Sequence, residues 1–226
     1  MMQIRYIFHS GFLAETAQSY YLFDYYKGAL PALDTDKPIV VLCSHNHADH
    51  YNSEIFPMLR EDGMKDVRAV LAKDILKKRY PPDVEVLCVC ANEVYELPYG
   101  ARLETLRSTD CGVAYLLTTD EGVLFHAGDL NDWTWESESD SYNCQIRGSY
   151  RHEIDKLKGR PIDAAFLPLD PRQAKHYADG LLYFLSKADA KAVYPMHYWK
   201  QPETIQRFLQ AYPQYQGVVQ YTEDVR

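Results

Sequence analysis

Short apolar segments separated by turns and helical patterns run along the whole chain. Residues 4–8 alternate between apolar and polar positions, and residues 39–43 form a continuous apolar run that is typical of a buried strand. Comparable short runs predict further strands at residues 20–23, 67–71, 84–89, 94–97, 103–106, 113–117, 123–126, 164–168 and 192–194. The chain is therefore predicted to be rich in β-sheet.

Helical patterns occur between and after these strands. They predict helices at residues 54–60, 73–79, 151–157, 174–186 and 204–212. The acidic, serine-containing segment 131–143 is predicted to be a solvent-facing loop. The first half of the chain contains strands and helices, and the second half repeats this pattern. The repetition predicts an α/β (α+β) protein with two sheets packed face to face and helices outside, a four-layer αββα sandwich. One domain spanning residues 1–226 is expected from the length.

Composition and charge narrow the classes of partner. No apolar run approaches the roughly 20 residues that cross a bilayer, and the amino terminus lacks the zones of a signal peptide. The formal net charge of -8 disfavours nucleic-acid and anionic-membrane binding, which need a positive field. Five cysteines at irregular spacing predict free thiols and a cytoplasmic location. A small-molecule substrate is the expected partner.

A cluster of metal-ligating side chains follows the apolar run at residues 39–43. His45, His47, Asp49 and His50 lie in a predicted strand-to-helix loop, at the end of a strand where α/β folds usually bind ligands. In an extended loop His45 and His47 point the same way and could share one ion, whereas Asp49 and His50 could face a second. Zinc-like ions prefer such imidazole and carboxylate donors. A metal site is predicted here, rather than a surface loop that is rich in histidine by chance.

Two more candidate ligands follow predicted strands further along the chain. Asp129 comes after Gly128, and His197 ends the segment that begins at residue 192. Alone, the aspartate could be a turn residue and the histidine a core residue. Together with the first cluster, their order and spacing resemble the metallo-β-lactamase superfamily, whose HxHxDH signature matches positions 45–50. The resemblance implies that Asp129 bridges two metal ions and that His197 is the final ligand.

One ligand of that family has no counterpart at the expected place. The family usually carries a histidine in a Gly-His-Thr-like turn, and Ser108 stands there in this chain. Because a serine hydroxyl is a poor zinc ligand, the ion held by His45 and His47 would have one neutral donor fewer than usual. The possible replacement ligands are Ser108 itself, Asp110 and Cys111, although Ser-Thr-Asp before a glycine is also a common hydrogen-bonded turn.

The second metal position keeps its full set of ligands. The resemblance assigns Asp49, His50, His197 and the shared Asp129 to it, and a single tightly bound ion is expected there. Zinc is the expected cofactor, as one or two ions, with manganese or iron as alternatives. Asp49 is also the candidate catalytic residue, which would steer the proton of the attacking water.

Several side chains outside the motifs are candidates for other roles. Arg172 could clamp a carboxylate or phosphate, His176 could face the pocket, and Trp133 could stack on the substrate. Each could equally be an ordinary surface or loop residue. His9 and His126 could orient a ligand or serve only the packing of the sheets.

The resemblance implies a metal-dependent hydrolase that uses a metal-bound hydroxide on an ester, lactone or phosphoester. The segments 6–12, 107–113 and 166–172 are similar to the branch that contains the ascorbate-phosphate lactonase group. Two alternatives stay open. One is a di-iron redox protein of the same fold, and the other is a metal-depleted, non-catalytic binding protein. The substrate and the oligomeric state do not follow from the residues.

Overall fold

The computed structural model describes residues 2–224 of the chain. The amino-terminal half builds one six-stranded sheet, in which the strands lie side by side in chain order. The first three strands are antiparallel and the remaining ones join in parallel. The strands are β1 (Gln3–Phe8), β2 (Gly11–Glu15), β3 (Tyr20–Phe23), β4 (Ile39–Cys43), β5 (Val67–Ala72) and β6 (Glu85–Val89).

The second six-stranded sheet comes from the carboxyl-terminal half and has the order β12-β11-β10-β9-β8-β7. Its β7 to β10 form an antiparallel meander, and β10, β11 and β12 are parallel to one another. The strands are β7 (Val94–Glu96), β8 (Arg102–Arg107), β9 (Val113–Thr119), β10 (Gly122–His126), β11 (Pro161–Pro168) and β12 (Asp189–Met196).

Four α-helices and several short 3-10 turns complete the described part of the chain. The helices are α1 (Ile55–Glu61), α2 (Asp140–Asp155), α3 (Asp179–Lys187) and α4 (Glu203–Ala211). The 3-10 turns are Lys77–Arg79, Pro98–Gly100, Pro171–His176, Pro213–Tyr215 and Thr222–Asp224. Within residues 2–224, no helix combines the length and the apolar character that crossing a membrane requires.

The continuous apolar run of β4 is explained by burial on both of its faces. Val40 and Leu42 point into the core between the two sheets, while Val41 packs on the other side with α1. Between the sheets, the rings of Phe12 and Phe166 lie 4.3 Å apart. Helices therefore cover the outer faces of two stacked sheets, and the predicted αββα fold class is confirmed.

Several local predictions were wrong, and each error has a physical cause. The segment 131–143 does not face solvent throughout, because Asn131 and Trp133 are buried. Internal hydrogen bonds satisfy this polar segment, among them one from Asn131 Nδ2 to Gln173 Oε1 at 2.9 Å. Helix α2 starts at Asp140, well before the predicted residue 151, since Ser139 Oγ caps it by accepting from the backbone N–H of Tyr142.

Two predicted helices are shorter than expected. The segment 73–79 forms only the 3-10 turn Lys77–Arg79. The segment 174–186 is broken at Ala174, whose φ of 53° interrupts the helical path, and α3 begins only at Asp179. Periodicity alone does not reveal these interruptions, because the apolar residues around them keep a helical spacing.

Gly112 lets the turn between β8 and β9 lie directly against the end of β4. Its φ is 68°, and the next residue, Val113, donates its backbone N–H to the carbonyl oxygen of Ser44 at 3.0 Å. A Cβ at Gly112 would overlap that carbonyl oxygen and lie 2.6 Å from Cβ of His45. The contact between the two sheets at the candidate metal loop therefore requires glycine.

The Gly112→Ala variant is expected to lower the free energy of unfolding by about 2 kcal/mol or more, because it adds backbone strain and overlap. Urea denaturation measures the change. Gly148→Ala is the matched control, since Gly148 lies inside α2 with no atom within 4 Å of the added Cβ. In that control the free energy of unfolding should rise by up to about 1 kcal/mol, because alanine is the better helix former. Equal stability of both variants would contradict the role given to Gly112.

Candidate metal centre

The candidate ligands meet at one edge of the sandwich because they follow the ends of strands from both sheets. His45 comes two residues after β4, Asp129 three residues after β10, and His197 directly after β12. The turn after β1 brings His9, and the turn after β8 brings Asp110. Neither sheet alone supplies the whole set, so the site depends on how the two sheets stack.

The first cluster joins His45, His47, Asp110 and Asp129, whose ligand atoms all lie within 4.8 Å of one another. Nε2 of His45 is 3.0 Å from Nδ1 of His47 and 3.4 Å from Oδ2 of Asp129. Nδ1 of His47 is 3.7 Å from Oδ2 of Asp110. His45 is fully buried, whereas His47 and Asp110 are exposed, so this cluster opens toward solvent.

The second cluster joins His9, Asp49, His50 and His197 within the same distance limit. The carboxylate of Asp129 stands between the two clusters. Its Oδ1 lies 3.2 Å from Nε2 of His50 and 3.5 Å from Nε2 of His197, while its Oδ2 faces His45. Asp129 therefore has one oxygen toward each cluster, which is the arrangement that a bridging carboxylate needs.

Three buried atoms at the second cluster make no hydrogen bond with any described residue. They are Nε2 of His9, Nε2 of His50 and Oδ1 of Asp129. Buried polar atoms without hydrogen bonds are costly, and such atoms usually have an ion or water as partner. Imidazole nitrogens and carboxylate oxygens are also the donors that divalent transition metals prefer. The residues present thus fit a metal ion.

A buried carboxylate orients the ligands of the strand-to-helix loop. Asp24, directly after β3, has Oδ2 2.7 Å from Nδ1 of His50 and accepts hydrogen bonds from the backbone N–H and the hydroxyl of Ser44. The hydroxyl of Ser44 in turn lies 3.0 Å from Nδ1 of His45. Such partners fix which nitrogen of each ring faces the ion. Sequence reasoning missed Asp24, although its place after a buried strand was a usable signal.

Asp170 supports His197 in the same way. Its Oδ2 lies 2.9 Å from Nδ1 of His197 and accepts a hydrogen bond from Nε1 of Trp199 at 3.2 Å. It also pairs with the guanidinium of Arg172. Asp170 was not predicted to have a role, and it connects a candidate metal ligand with the wall of the adjoining cavity.

The strand-to-helix loop is also clamped from outside by Arg79. Its Nη1 donates to the carbonyl oxygen of Asn46 at 2.8 Å, and its Nη2 donates to that of Tyr51 at 3.0 Å. The guanidinium lies over the ring of Tyr51. These bonds fix the backbone on both sides of the candidate ligands, so that ligand binding need not order the loop.

Electrostatics favour the metal-binding protonation state at His45 and Asp129 but oppose it at His50, whose pKa is raised by Asp129 and Asp24 although burial alone would lower it. Burial, together with the neighbouring His50, lowers the pKa of His45 to about 4, which leaves its imidazole neutral at neutral pH. Burial alone would raise the pKa of Asp129, but the charges of His50 and His197 outweigh it and hold that pKa well below its usual range. Neutral imidazoles and ionised carboxylates are the forms that bind metal.

Of the three replacements considered for the missing histidine, Asp110 is the one in the cluster. Ser108 points away and accepts a hydrogen bond from the backbone N–H of Asp110 at 3.2 Å. Burial, followed by the negative charge of Asp129, raises the pKa of Asp110. The sulfur of Cys111 lies 4.0 Å from Oδ1 of Asp110, outside the cluster. The serine thus shapes the turn, and the aspartate supplies the oxygen.

A cavity of about 330 Å³ opens onto both clusters. Apart from candidate ligands, its lining is mainly aromatic and includes Trp133, Trp135, Tyr142, Arg172 and Trp199. His176 does not line this cavity, because its Nδ1 lies 2.8 Å from Oδ2 of Asp179 at the start of α3. His126 also stays outside and is buried with Nε2 2.9 Å from the carbonyl oxygen of Ser10.

A protein-family model described as a beta-lactamase superfamily domain matches residues 3–197. The chain therefore belongs to the beta-lactamase superfamily, as its metal motifs predict. Comparison with curated proteins gives no significant match.

Solved structures share the fold at low identity. Igni18, a metallo hydrolase from Ignicoccus hospitalis, aligns with a TM-score of 0.65 and 16% identity over 97% of this chain and 94% of its own. A proposed metal-dependent hydrolase from Parabacteroides distasonis aligns with a TM-score of 0.65 and 20% identity, over 97% of this chain and 91% of its own. The diiron beta-hydroxylase CmlA from Streptomyces venezuelae aligns with a TM-score of 0.64 and 14% identity, over 96% of this chain and 52% of CmlA. At these identities the likeness shows the fold alone, and metallo-hydrolases share it.

The position of Asp110 generates a test of the first cluster. Asp110→Ala is expected to lose about one equivalent of bound divalent metal, because it removes one of only four protein donors. Cys111→Ala is the matched control and should keep the metal content of the original protein. Elemental analysis after gel filtration measures both. Full metal content in the Asp110 variant, or loss in the Cys111 variant, would contradict the assignment.

Proposed function

We propose that this protein is a metal-dependent hydrolase of ester, lactone or phosphoester substrates. The observation that carries the proposal is the pair of imidazole–carboxylate clusters that lie on either side of the Asp129 carboxylate and open onto one cavity. The ligands come from both sheets, which supports the view that residues 1–226 act as one domain. Zinc is the first ion to test, followed by manganese and iron, and a cytoplasmic location stays a prediction.

An ion held by these residues would lower the pKa of a bound water to near neutrality and polarise the bond under attack. The protein's own contribution is to hold the donors and to orient the water. Asp49 is suited to that task because it lines the cavity and belongs to the second cluster. Burial opposes ionisation of Asp49, but its contact with His9 and the charge of His50 lower its pKa. Its carboxylate can therefore accept a hydrogen bond from the water at neutral pH.

Protein purified without chelators or a histidine tag is expected to contain about two equivalents of divalent metal and to hydrolyse members of a panel of lactones, phosphodiesters and thioesters. Phosphorylated lactones belong in the panel because of the resemblance to the ascorbate-phosphate lactonase branch. Removal of the metal should abolish turnover, and adding it back should restore turnover. Asp49→Ala should lose turnover, and a variant that keeps both turnover and metal would defeat the role given to Asp49.

Other outcomes of the same measurement favour other functions. The first cluster offers two imidazoles and two carboxylates, a donor set that also suits iron and oxygen chemistry. Bound iron with its characteristic absorption would favour the redox alternative. No metal and no turnover would overturn the hydrolase proposal and favour a binding protein.

We further propose that the substrate is anionic, and the cavity wall supports this proposal. The guanidinium of Arg172 lies 4.4 Å from the ring centroid of Trp199, and its Nε and Nη2 bond to Asp170. The side chain is 48% exposed, so one edge of the guanidinium stays available at the cavity. A planar guanidinium over an aromatic ring suits a carboxylate or phosphate group. Trp133 and Trp135 can cover an apolar part of the same molecule.

Arg172→Gln is expected to raise KM for a carboxylate-bearing aryl ester by roughly 10-fold or more, because a charge-assisted hydrogen bond contributes about 1.5–3 kcal/mol. KM for the uncharged ester of the same size should change little. Steady-state kinetics on both esters separate anion recognition from damage to the site. Lys175→Gln is the matched control, since Lys175 is an exposed cation paired with Glu136. Equal effects on both esters would contradict anion recognition by Arg172.

A further inference from the structure

His9 is held in a conformation that most residues avoid. It lies in the turn between β1 and β2 with a φ of 59°, a left-handed backbone that is strained for a residue other than glycine. Two contacts hold it there. The backbone N–H of His9 donates to the hydroxyl of Tyr6 at 2.8 Å, and its carbonyl oxygen accepts from the backbone N–H of His197 at 3.4 Å. Strain of this kind collects at functional sites.

The imidazole of His9 is packed against the second cluster. The residue is 5% exposed, and its ring centroid lies 4.3 Å from that of His197 and 5.8 Å from that of His50. Trp199 closes the ring off from another side, with centroids 4.6 Å apart. The ring of His9 is therefore enclosed by the second cluster and by Trp199.

Nε2 of His9 points at the other ligand atoms without bonding to them. It lies 3.4 Å from Oδ2 of Asp49, and it makes no hydrogen bond with any residue of the described chain. At this distance His9 and Asp49 interact electrostatically, but the contact does not satisfy Nε2 of His9 as a hydrogen bond would. The ligand atoms of His9, Asp49, His50 and His197 all lie within 4.8 Å of one another, as donors around a common centre do.

We propose that Nε2 of His9 is an additional protein ligand of the second metal ion, a proposal that rests on the function proposed above. The second position then has three imidazoles, from His9, His50 and His197, and two carboxylates, from Asp49 and Asp129. The first position has two imidazoles and two carboxylates. The second ion is therefore held by five protein donors, which suits a five- or six-coordinate ion better than a tetrahedral one.

The test is a titration of metal-free protein with Co²⁺, followed by visible absorption and by the metal content at each step. His9→Gly removes the imidazole and keeps the left-handed backbone free of strain, because glycine adopts positive φ readily. This variant is expected to bind one of two Co²⁺ ions at least about 10-fold more weakly, since even loss of an outer partner costs 10–100-fold. Its Co²⁺ absorption should become more intense, because intensity rises as the coordination number falls.

Added imidazole should restore the affinity and the spectrum of the His9→Gly variant, which a merely structural role for His9 would not produce. His9→Asn is a second variant that tolerates the left-handed backbone, and it should lose the ligand in the same way. His176→Ala, a histidine outside both clusters, is the control and should match the original protein. Thermal unfolding of the metal-free variants checks that they fold.

The two proposals fail in different ways. If the original protein binds no Co²⁺, the proposed function and the role of His9 are both overturned. If the original protein binds two ions, and His9→Gly binds both with the same affinity and spectrum, only the role of His9 is overturned. Selective weakening of one ion with rescue by imidazole supports it.

Discussion

The concentration of several carboxylates, two of them buried, in one small volume is the constraint on which the rest of the structure depends. Asp24, Asp49, Asp110 and Asp129 all lie in or against the two clusters. Since burial disfavours ionisation of a carboxyl group, ionised carboxylates here need compensating positive charge. Although burial opposes it, Asp129 and Asp24 raise the pKa of His50. Metal binding requires neutral imidazoles, however, so the histidines cannot supply that charge in the metal-bound state. Two divalent ions carry the same charge as four carboxylates, which makes a two-metal site electrostatically consistent.

The fold provides rigidity where that charge is concentrated. The two stacked sheets both contribute to the site, which lies at one edge of the sandwich, and Gly112 and Gly128 allow their turns to touch the end of β4 without side chains in between. Asp24 and Asp170 then fix the rings of His50 and His197 from behind. Because each ligand is held by strands or by a buried hydrogen bond, little conformational entropy is lost when an ion binds.

The sequence allowed the fold class and the family to be predicted, because buried strands and the motif at positions 45–50 are local patterns. It left three candidates for the missing donor, since only the path of the turn decides that Ser108 points away and Asp110 points inward. Asp24 and Asp170 were missed for a related reason. They act through hydrogen bonds to distant residues, and local patterns do not reveal such contacts. The break at Ala174 was likewise invisible to periodicity.

His9 is the clearest example of a residue whose contacts local sequence patterns do not reveal. It also helps to explain why the two clusters differ. In sequence it is separated from His50 by three strands of the first sheet, yet a left-handed turn aims its ring at the second cluster. The first cluster, with exposed His47 and Asp110, faces the cavity and can exchange ligands with solvent. The second cluster is more deeply buried and richer in imidazole. An ion in the second position would therefore exchange slowly, whereas the first position is the one where metal and substrate can enter.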